Sequence, residues 1–258
     1  MMKATHLLLP GLLILLLSTA FFLPSSQALR VDAPALTGAW ELVEADGQAF
    51  PEVSGQRATL ICSDAYWMLT HYNVESKAFA WTTGGTYALK DGRLSVVTEF
   101  HSLDTSQVGL AWGAAVEGPD ATQVIVSIEM GEQVSRQTYK RLDDAGTALA
   151  GNWRFFARKQ GDELSPMRTG PRKTVKLLTG TRFQWAAINT ETKQFSGTGG
   201  GSYTFENGKY TEQIEFFSRD SSRVGASLSF DGRVEGKDWH HSGKSSKGDP
   251  MYEIWRRE

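Results

Sequence analysis

Lys77-Ala-Phe-Ala-Trp-Thr-Thr-Gly-Gly-Thr-Tyr87 and Lys193-Gln-Phe-Ser-Gly-Thr-Gly-Gly-Gly-Ser-Tyr203 are two copies of one segment, 116 residues apart (193 − 77). The offset holds without a gap through Gly92/Gly208, Glu99/Glu215, Phe100/Phe216, Ser102/Ser218, Asp104/Asp220, Ser106/Ser222, Val108/Val224 and Gly109/Gly225. An ungapped correspondence of this length marks a tandem repeat. The starts match as Leu36-Thr-Gly-Ala-Trp40 and Leu149-Ala-Gly-Asn-Trp153, and the ends as Tyr139-Lys-Arg141 and Ile254-Trp-Arg256. One module therefore covers 29–143 and the other 147–258. The polar link at Asp143–Thr147 is too short to let them move far apart.

Within a module the signals are those of hairpins. Lys90-Asp-Gly92 and Glu206-Asn-Gly208 are tight turns, because Asp-Gly and Asn-Gly accept positive φ at both central positions. The flanking strands fall at 85–89 and 94–101, and at 202–205 and 209–217. Others are expected at 38–44, 57–62, 65–72, 107–117, 122–129 and 133–141, about eight per module. Along 209–217, Tyr210, Glu212, Ile214 and Phe216 share one face, and Thr211, Gln213, Glu215 and Phe217 the other. Eight short antiparallel strands must dispose of two sheet edges, and closing the sheet does so. The expected fold class is all-β: two tandem antiparallel β-barrels of about eight strands each. A sandwich is the competing architecture.

Composition narrows the functional classes. The net charge of −2 provides no basic field for nucleic acid or anionic lipid. Residues 7–23 are almost wholly apolar after Lys3, and Ser26 and Ala28 place small residues where a signal peptidase reads. The expectation is a signal peptide over 1–28 cleaved after Ala28, and a secreted or periplasmic mature chain beginning at Leu29. An uncleaved anchor is the alternative, since the run is at the short limit of a membrane span. With no cysteine near the site, lipid attachment there is excluded. No second apolar run is long enough to leave a stable span after cleavage. Cys62 is the one cysteine, so no disulfide can form within the chain. It reads as a small buried apolar residue in a strand rather than as a reactive thiol.

Gly38-Ala-Trp40 and Gly151-Asn-Trp153, each just after a leucine, resemble the Gly-x-Trp opening of lipocalin-like domains of the calycin superfamily. The resemblance implies a barrel closed at one end by the tryptophan, with an arginine of the last strand across its ring. Arg141 and Arg256 stand in the matching places, 101 (141 − 40) and 103 (256 − 153) residues on. A guanidinium over an indole contributes about 0.5–2 kcal/mol. The Gly-Gly-x-Tyr strand and the tail from Trp239 to Pro250 also resemble uncharacterised secreted bacterial proteins with lipocalin-like domains. That resemblance implies fold and compartment but no activity.

Motifs for chemistry are weak. Gly243-Lys244-Ser245 lacks the glycine a phosphate loop needs at Asp238, and Gly199-Gly-Gly201 lacks the helix of a dinucleotide site. A zinc site from His71, His101 and Cys62 or Asp64 has no counterpart in the second module, where Ala187 and Phe217 replace the histidines. Adjacent His240 and His241 point to opposite strand faces. No metal and no cofactor is expected, and no nucleophile elbow is present. Glu99 and Glu215 lie between apolar neighbours in both modules, either as barrel-lining carboxylates or as outward residues. The second module keeps the fuller pattern, so the ligand site is expected there. Its lining would come from Glu215 as polar anchor, Gln213 and alternate residues of 209–217, with Tyr203, Trp185 and Phe230. The leading function is a non-enzymatic exported protein holding a small apolar or amphipathic ligand. Two alternatives stay open: an enzyme with Glu215 or Glu99 as general base, and a structural protein with filled barrels. Oligomeric state is not readable.

Overall fold

The computed structural model describes residues 36–258 except 64, 162, 246 and 247, together with the backbone but not the side chains of 119, 120, 130 and 160. The signal peptide expected over 1–28 lies outside the described residues. The first half forms β1 (Gly38–Ala45), β2 (Gln48–Ala49), β3 (Gln56–Cys62), β4 (Tyr66–Asn73), β5 (Ala78–Lys90), β6 (Arg93–His101), β7 (Ala111–Asp120), β8 (Gln123–Met130) and β9 (Gln133–Asp143). The second forms β10 (Gly151–Gln160), β11 (Glu163–Pro166), β12 (Arg172–Leu178), β13 (Arg182–Asn189), β14 (Gln194–Glu206), β15 (Lys209–Phe217), β16 (Ser227–Glu235), β17 (Asp238–Lys244) and β18 (Pro250–Arg257). Each half is an antiparallel meander whose last strand pairs with its first, β1 with β9 and β10 with β18. Both are closed eight-stranded barrels, with short β2 and β11 added beside β1 and β10. Residues 107–110, expected in a strand, instead form and follow a 3-10 turn at Thr105–Gln107. The Asp104 carboxylate accepts from the backbone N–H and hydroxyl of Ser106 there, and Asp220 caps Ser221–Arg223 in the same way.

The repeated Gly-Gly-x-Tyr segment has a structural cause. β5 and β6 pair Gly84 with Phe100 and then Gly85 with Thr98, so Glu99 is an extra, bulged residue. β14 and β15 repeat this with Glu215 between Phe216 and Ile214. A bulge pushes the two strands into close approach. A Cβ on Gly85 would sit 2.0 Å from the Val97 carbonyl oxygen, and one on Gly201 2.1 Å from that of Gln213. Only glycine fits opposite either bulge.

Trp40 and Trp153 are fully buried, and each indole N–H donates to a leucine carbonyl four residues earlier, Leu36 and Leu149. The Arg141 guanidinium lies 4.0 Å from the Trp40 ring centroid. Over Trp153 the arginine is Arg257, at 4.2 Å, and not Arg256. β10 pairs Trp153 with Arg257 and Phe155 with Trp255, as β1 pairs Trp40 with Arg141 and Leu42 with Tyr139. The 116-residue offset carried to the chain end gives this alignment, and a slip of one residue moves a side chain to the other face. Arg256 faces outward, bonded to Asp238 at 2.7 Å and lying over Phe156. Arg257→Ala should therefore lower the urea midpoint of unfolding more than Arg256→Ala. The first loses about 0.5–2 kcal/mol of cation–π contact as well as bonds to the Ala148 and Ala150 carbonyls. The second loses a half-exposed pair worth about 0–1 kcal/mol and an outward contact with the half-buried Phe156 ring. That contact is at the exposed end of the cation–π range, about 0.5–1 kcal/mol, whereas Arg257 covers the fully buried Trp153. Equal midpoints would remove the closing role from Arg257.

The barrels meet through their outer faces. Ile61, Tyr66, Met68 and Phe100 pack against Val175, Leu177, Ala186 and Ile188 in one apolar cluster. β5 touches β15 and β6 touches β14, an exchange of equivalent strands that gives an approximate two-fold relation, and β12 touches its own equivalent β3 as well as β4. In its midst the buried Gln184 amide donates to Thr82 and Thr198 and accepts from Thr70. The Asp143 carboxylate accepts from the backbone N–H groups of Gly180 and Thr181 and from the hydroxyls of Thr179 and Thr181, tying the link to the β12–β13 turn. Burial alone would raise this carboxyl's pKa, but these donors outweigh it and hold it below the usual range.

Candidate functional site

Both barrels enclose a cavity, and the two differ in chemistry. That of barrel 1 is about 400 Å³. Its wall alternates along the strands in the way a closed barrel requires, with Leu60 and Cys62 from β3, Trp67 and Leu69 from β4, Leu94 and Val96 from β6, and Val126 and Ile128 from β8. Leu36 covers the floor beside Trp40. Two polar pairs in the wall are closed, while the buried Trp67 indole N–H has no hydrogen-bond partner among the described residues. Trp112 Nε1 donates to Thr98 Oγ1 at 3.1 Å, and the Tyr139 hydroxyl donates to Gln137 Oε1 at 2.6 Å. Burial pushes the Cys62 thiol well up, so it stays protonated and packs as an apolar group.

At the lip of this chamber Trp81 lies between two imidazoles. Its ring stacks on His71 at 4.2 Å between centroids and 16° between planes, and on His101 at 5.6 Å and 8°. An indole between them keeps His71 and His101 from converging on one ion, so the zinc arrangement weighed from the sequence is not assembled. Asp64 lies outside the described residues. His101 Nδ1 accepts from the backbone N–H groups of Leu103 and Asp104, which leaves its proton on Nε2. Burial lowers both pKa values, that of His71 to about 4. Both are neutral at pH 7. Asp104 and Gln107, on the 3-10 turn, complete the polar lip.

The barrel 2 cavity is about 340 Å³ and holds ionised groups. Lys176 Nζ lies 2.6 Å from Glu212 Oε1, with both side chains nearly inaccessible. The rings of Tyr210, Phe183, Trp239 and Trp255 surround the ammonium at 4.9–5.5 Å. Glu253 accepts from Trp255 Nε1 at 3.0 Å, and its Oε2 is 3.7 Å from His241 Nδ1. Desolvation of the ring lowers the His241 pKa, outweighing the neighbouring carboxylates. His240 faces the other way, onto the Tyr252 hydroxyl at 2.7 Å.

Trp185 and Phe230 line this cavity as expected from the sequence. Tyr203 is buried in the same core below it, its hydroxyl held by Thr147 and the Thr179 carbonyl. Glu215 and Gln213 are not in the barrel. Gln213 is exposed and donates to Ser227 Oγ at 2.7 Å. Glu215 is the bulged residue, turned toward barrel 1, where the Tyr72 hydroxyl donates to it at 2.8 Å. Glu99 is its counterpart, bonded to Tyr66 at 2.7 Å and to Lys173 at 2.9 Å across the same interface. Neither carboxylate lines the cavity of its barrel, so neither is placed as a general base there. The interior carboxylate of the strand is Glu212, in phase with Tyr210 and Ile214, and the bulge shifts the phase so that Phe217 rather than Phe216 continues the lining. A charged residue on the apolar face of an alternating strand was the signal for it. Lys176 could have been found as the cross-strand partner of the inward Trp153.

Two closed eight-stranded antiparallel barrels, each with an arginine over the indole at its closure, give the chain the tandem lipocalin-like fold expected from the sequence. No family model matches the chain, and no curated protein matches it. Among solved structures, a lipocalin-like protein from Bacteroides uniformis matches with 12% identity and a TM-score of 0.32, over 43% of this chain and 98% of that one. Among the described residues no helix is long and apolar enough to cross a membrane.

Proposed function

We propose that this is an exported, non-enzymatic binding protein whose principal site is the barrel 1 chamber, and that its ligand there is a compact, uncharged apolar molecule. The observation that carries this reading is the chamber itself. It is of ligand size and walled by leucine, valine, isoleucine and tryptophan; Trp112 and Tyr139 are bonded within the wall, and the Trp67 indole N–H is left as one neutral donor. Buried carboxylates and lysines like those of barrel 2 do not line it. An ionised ligand would lose its hydration there without replacement. Export rests on the apolar run at 7–23 and the small residues Ser26 and Ala28. A mature chain sequenced from Leu29 supports it, and one retaining Met1 overturns it.

The test uses N-phenyl-1-naphthylamine, a neutral apolar fluorophore. Leu69 of barrel 1 corresponds to Trp185 of barrel 2, so Leu69→Trp fills the chamber with a residue the fold already accepts at that position. The expected result is saturable binding of one probe, weakened about tenfold or more, roughly 1.4 kcal/mol, in Leu69→Trp and unchanged in Ile214→Trp. No saturable binding, or equal loss in both variants, would sink the assignment to barrel 1.

A further inference from the structure

Beside the barrel 2 cavity, and sharing Phe155 and Thr174 with it, lies a cleft of about 860 Å³ between the β11 hairpin, the segment 167–171 and the ends of β12 and β13. Six cationic side chains line it: Arg154, Arg158, Arg168, Arg172, Lys173 and Arg219. No carboxylate is among its described lining residues. Arg154 and Lys173 are held by Glu258 and Glu99. Arg168 and Arg172 are exposed, with no ion pair among the described residues. Arg219 is bonded to the neutral Ser196 carbonyl, which leaves its charge uncompensated.

The fold does not demand this cluster. At the matching positions barrel 1 carries Glu41 for Arg154, Ala45 for Arg158, Gln56 for Arg172 and Leu103 for Arg219. Nor does the chain's overall balance explain it, since the net charge is −2. Like charges gathered in a concave, low-dielectric surface repel one another and focus a positive potential. Guanidinium groups present paired N–H donors matched to phosphate oxygens. The cleft exceeds what a single phosphate group fills, and Phe155 leads from it to the aromatic wall of Trp185, Phe217 and Phe230. We propose that barrel 2 binds an amphiphile bearing a phosphate headgroup, the phosphate among Arg168, Arg172 and Arg219 and the apolar tail directed past Phe155 into the barrel. This second site is independent of the barrel 1 chamber.

The experiment is calorimetric titration of the full chain with dodecyl phosphate below its micellar concentration, beside dodecyltrimethylammonium, inorganic phosphate and phosphatidylglycerol vesicles. Arg172→Gln with Arg219→Leu restores the residues of barrel 1, which the fold already accepts. Dodecyl phosphate is expected to bind one per chain, about tenfold or more tighter than the cationic detergent, and to weaken about tenfold in the double variant. Raising salt from ~50 to ~500 mM should weaken wild-type binding several-fold, a readout that needs no variant. Leu69→Trp should leave it unchanged, which separates this site from the barrel 1 reading. The proposal fails if the cationic detergent binds equally well, if inorganic phosphate matches dodecyl phosphate, or if affinity ignores salt or the double substitution. Binding of vesicles without binding of monomeric dodecyl phosphate would also overturn it, in favour of a membrane surface.

Discussion

Lys176→Met should destabilise the protein by about 3–5 kcal/mol, read as a lower midpoint in urea unfolding followed by tryptophan fluorescence. The Lys176–Glu212 pair is 2.6 Å long and sealed by aromatic rings. Desolvating two charges costs much of what their attraction returns, so the intact pair adds little net stability. Removing only the ammonium leaves the Glu212 carboxylate buried without its counter-charge, and that is where the cost arises. Combining Lys176→Met with Glu212→Leu replaces the pair by apolar groups of similar size and should recover most of the loss. A cost under about 1 kcal/mol in the single variant, or no recovery in the double, would show the pair to be solvated.

Acidification from pH 6.5 to about 4 should remove on the order of 1–3 kcal/mol through His71. Burial among Phe50 and Trp81 lowers its pKa from 6.5 to about 4. The unfolded chain therefore takes up a proton across this window while the folded chain does not, and stability falls as pH falls. The full 2.5-unit difference corresponds to about 3 kcal/mol, and the ring's partial exposure and its stacking on Trp81 reduce that. Above pH 6.5 the contribution is fully present, and below about 4 no further loss occurs. His101 and His241, also lowered, act in the same direction. The carboxylates held below their usual range, Asp143 and Glu253 among them, lose their contribution at lower pH. His71→Phe should therefore lose less stability than wild type between pH 6.5 and 4, and parallel curves would refute the assignment to His71.

Two barrels were legible in the sequence because repeat, hairpin turns and Gly-x-Trp openings are local signals. Asp91, Gly92, Asn207 and Gly208 all have positive φ, as those turns require. The interior of barrel 2 was harder to read. Alternation assigns a residue to a face, but composition alone does not say which face is inside once both are buried. The outer faces of β12, β13 and β15 carry apolar residues because they meet the other barrel. Phe216 touches Tyr72 there, so the apolar neighbours that made Glu215 look interior belong partly to the interface. The bulge at that position then reverses the phase, a feature encoded only in Gly201 across the ladder. Cavity 1 was missed for a related reason. A void is set by what the wall residues leave unfilled, such as Leu69 where barrel 2 has Trp185, and no motif marks a smaller side chain.

The approximate two-fold between the barrels has a consequence for how the two halves can differ. In a homodimer each contact across such an axis occurs twice, so a residue helpful on one side must be tolerated on the other. Here the tether of 144–150 holds the second half at a high effective concentration, in the millimolar range for short linkers. Contacts need form only once. Gln184 gathers Thr70, Thr82 and Thr198 where its counterpart is the apolar Met68, and Glu99 takes Lys173 while Glu215 takes Tyr72. Joining the halves in one chain thus releases each barrel from self-complementarity, and one pair of matched shells is free to specialise into an uncharged chamber and an ionised one.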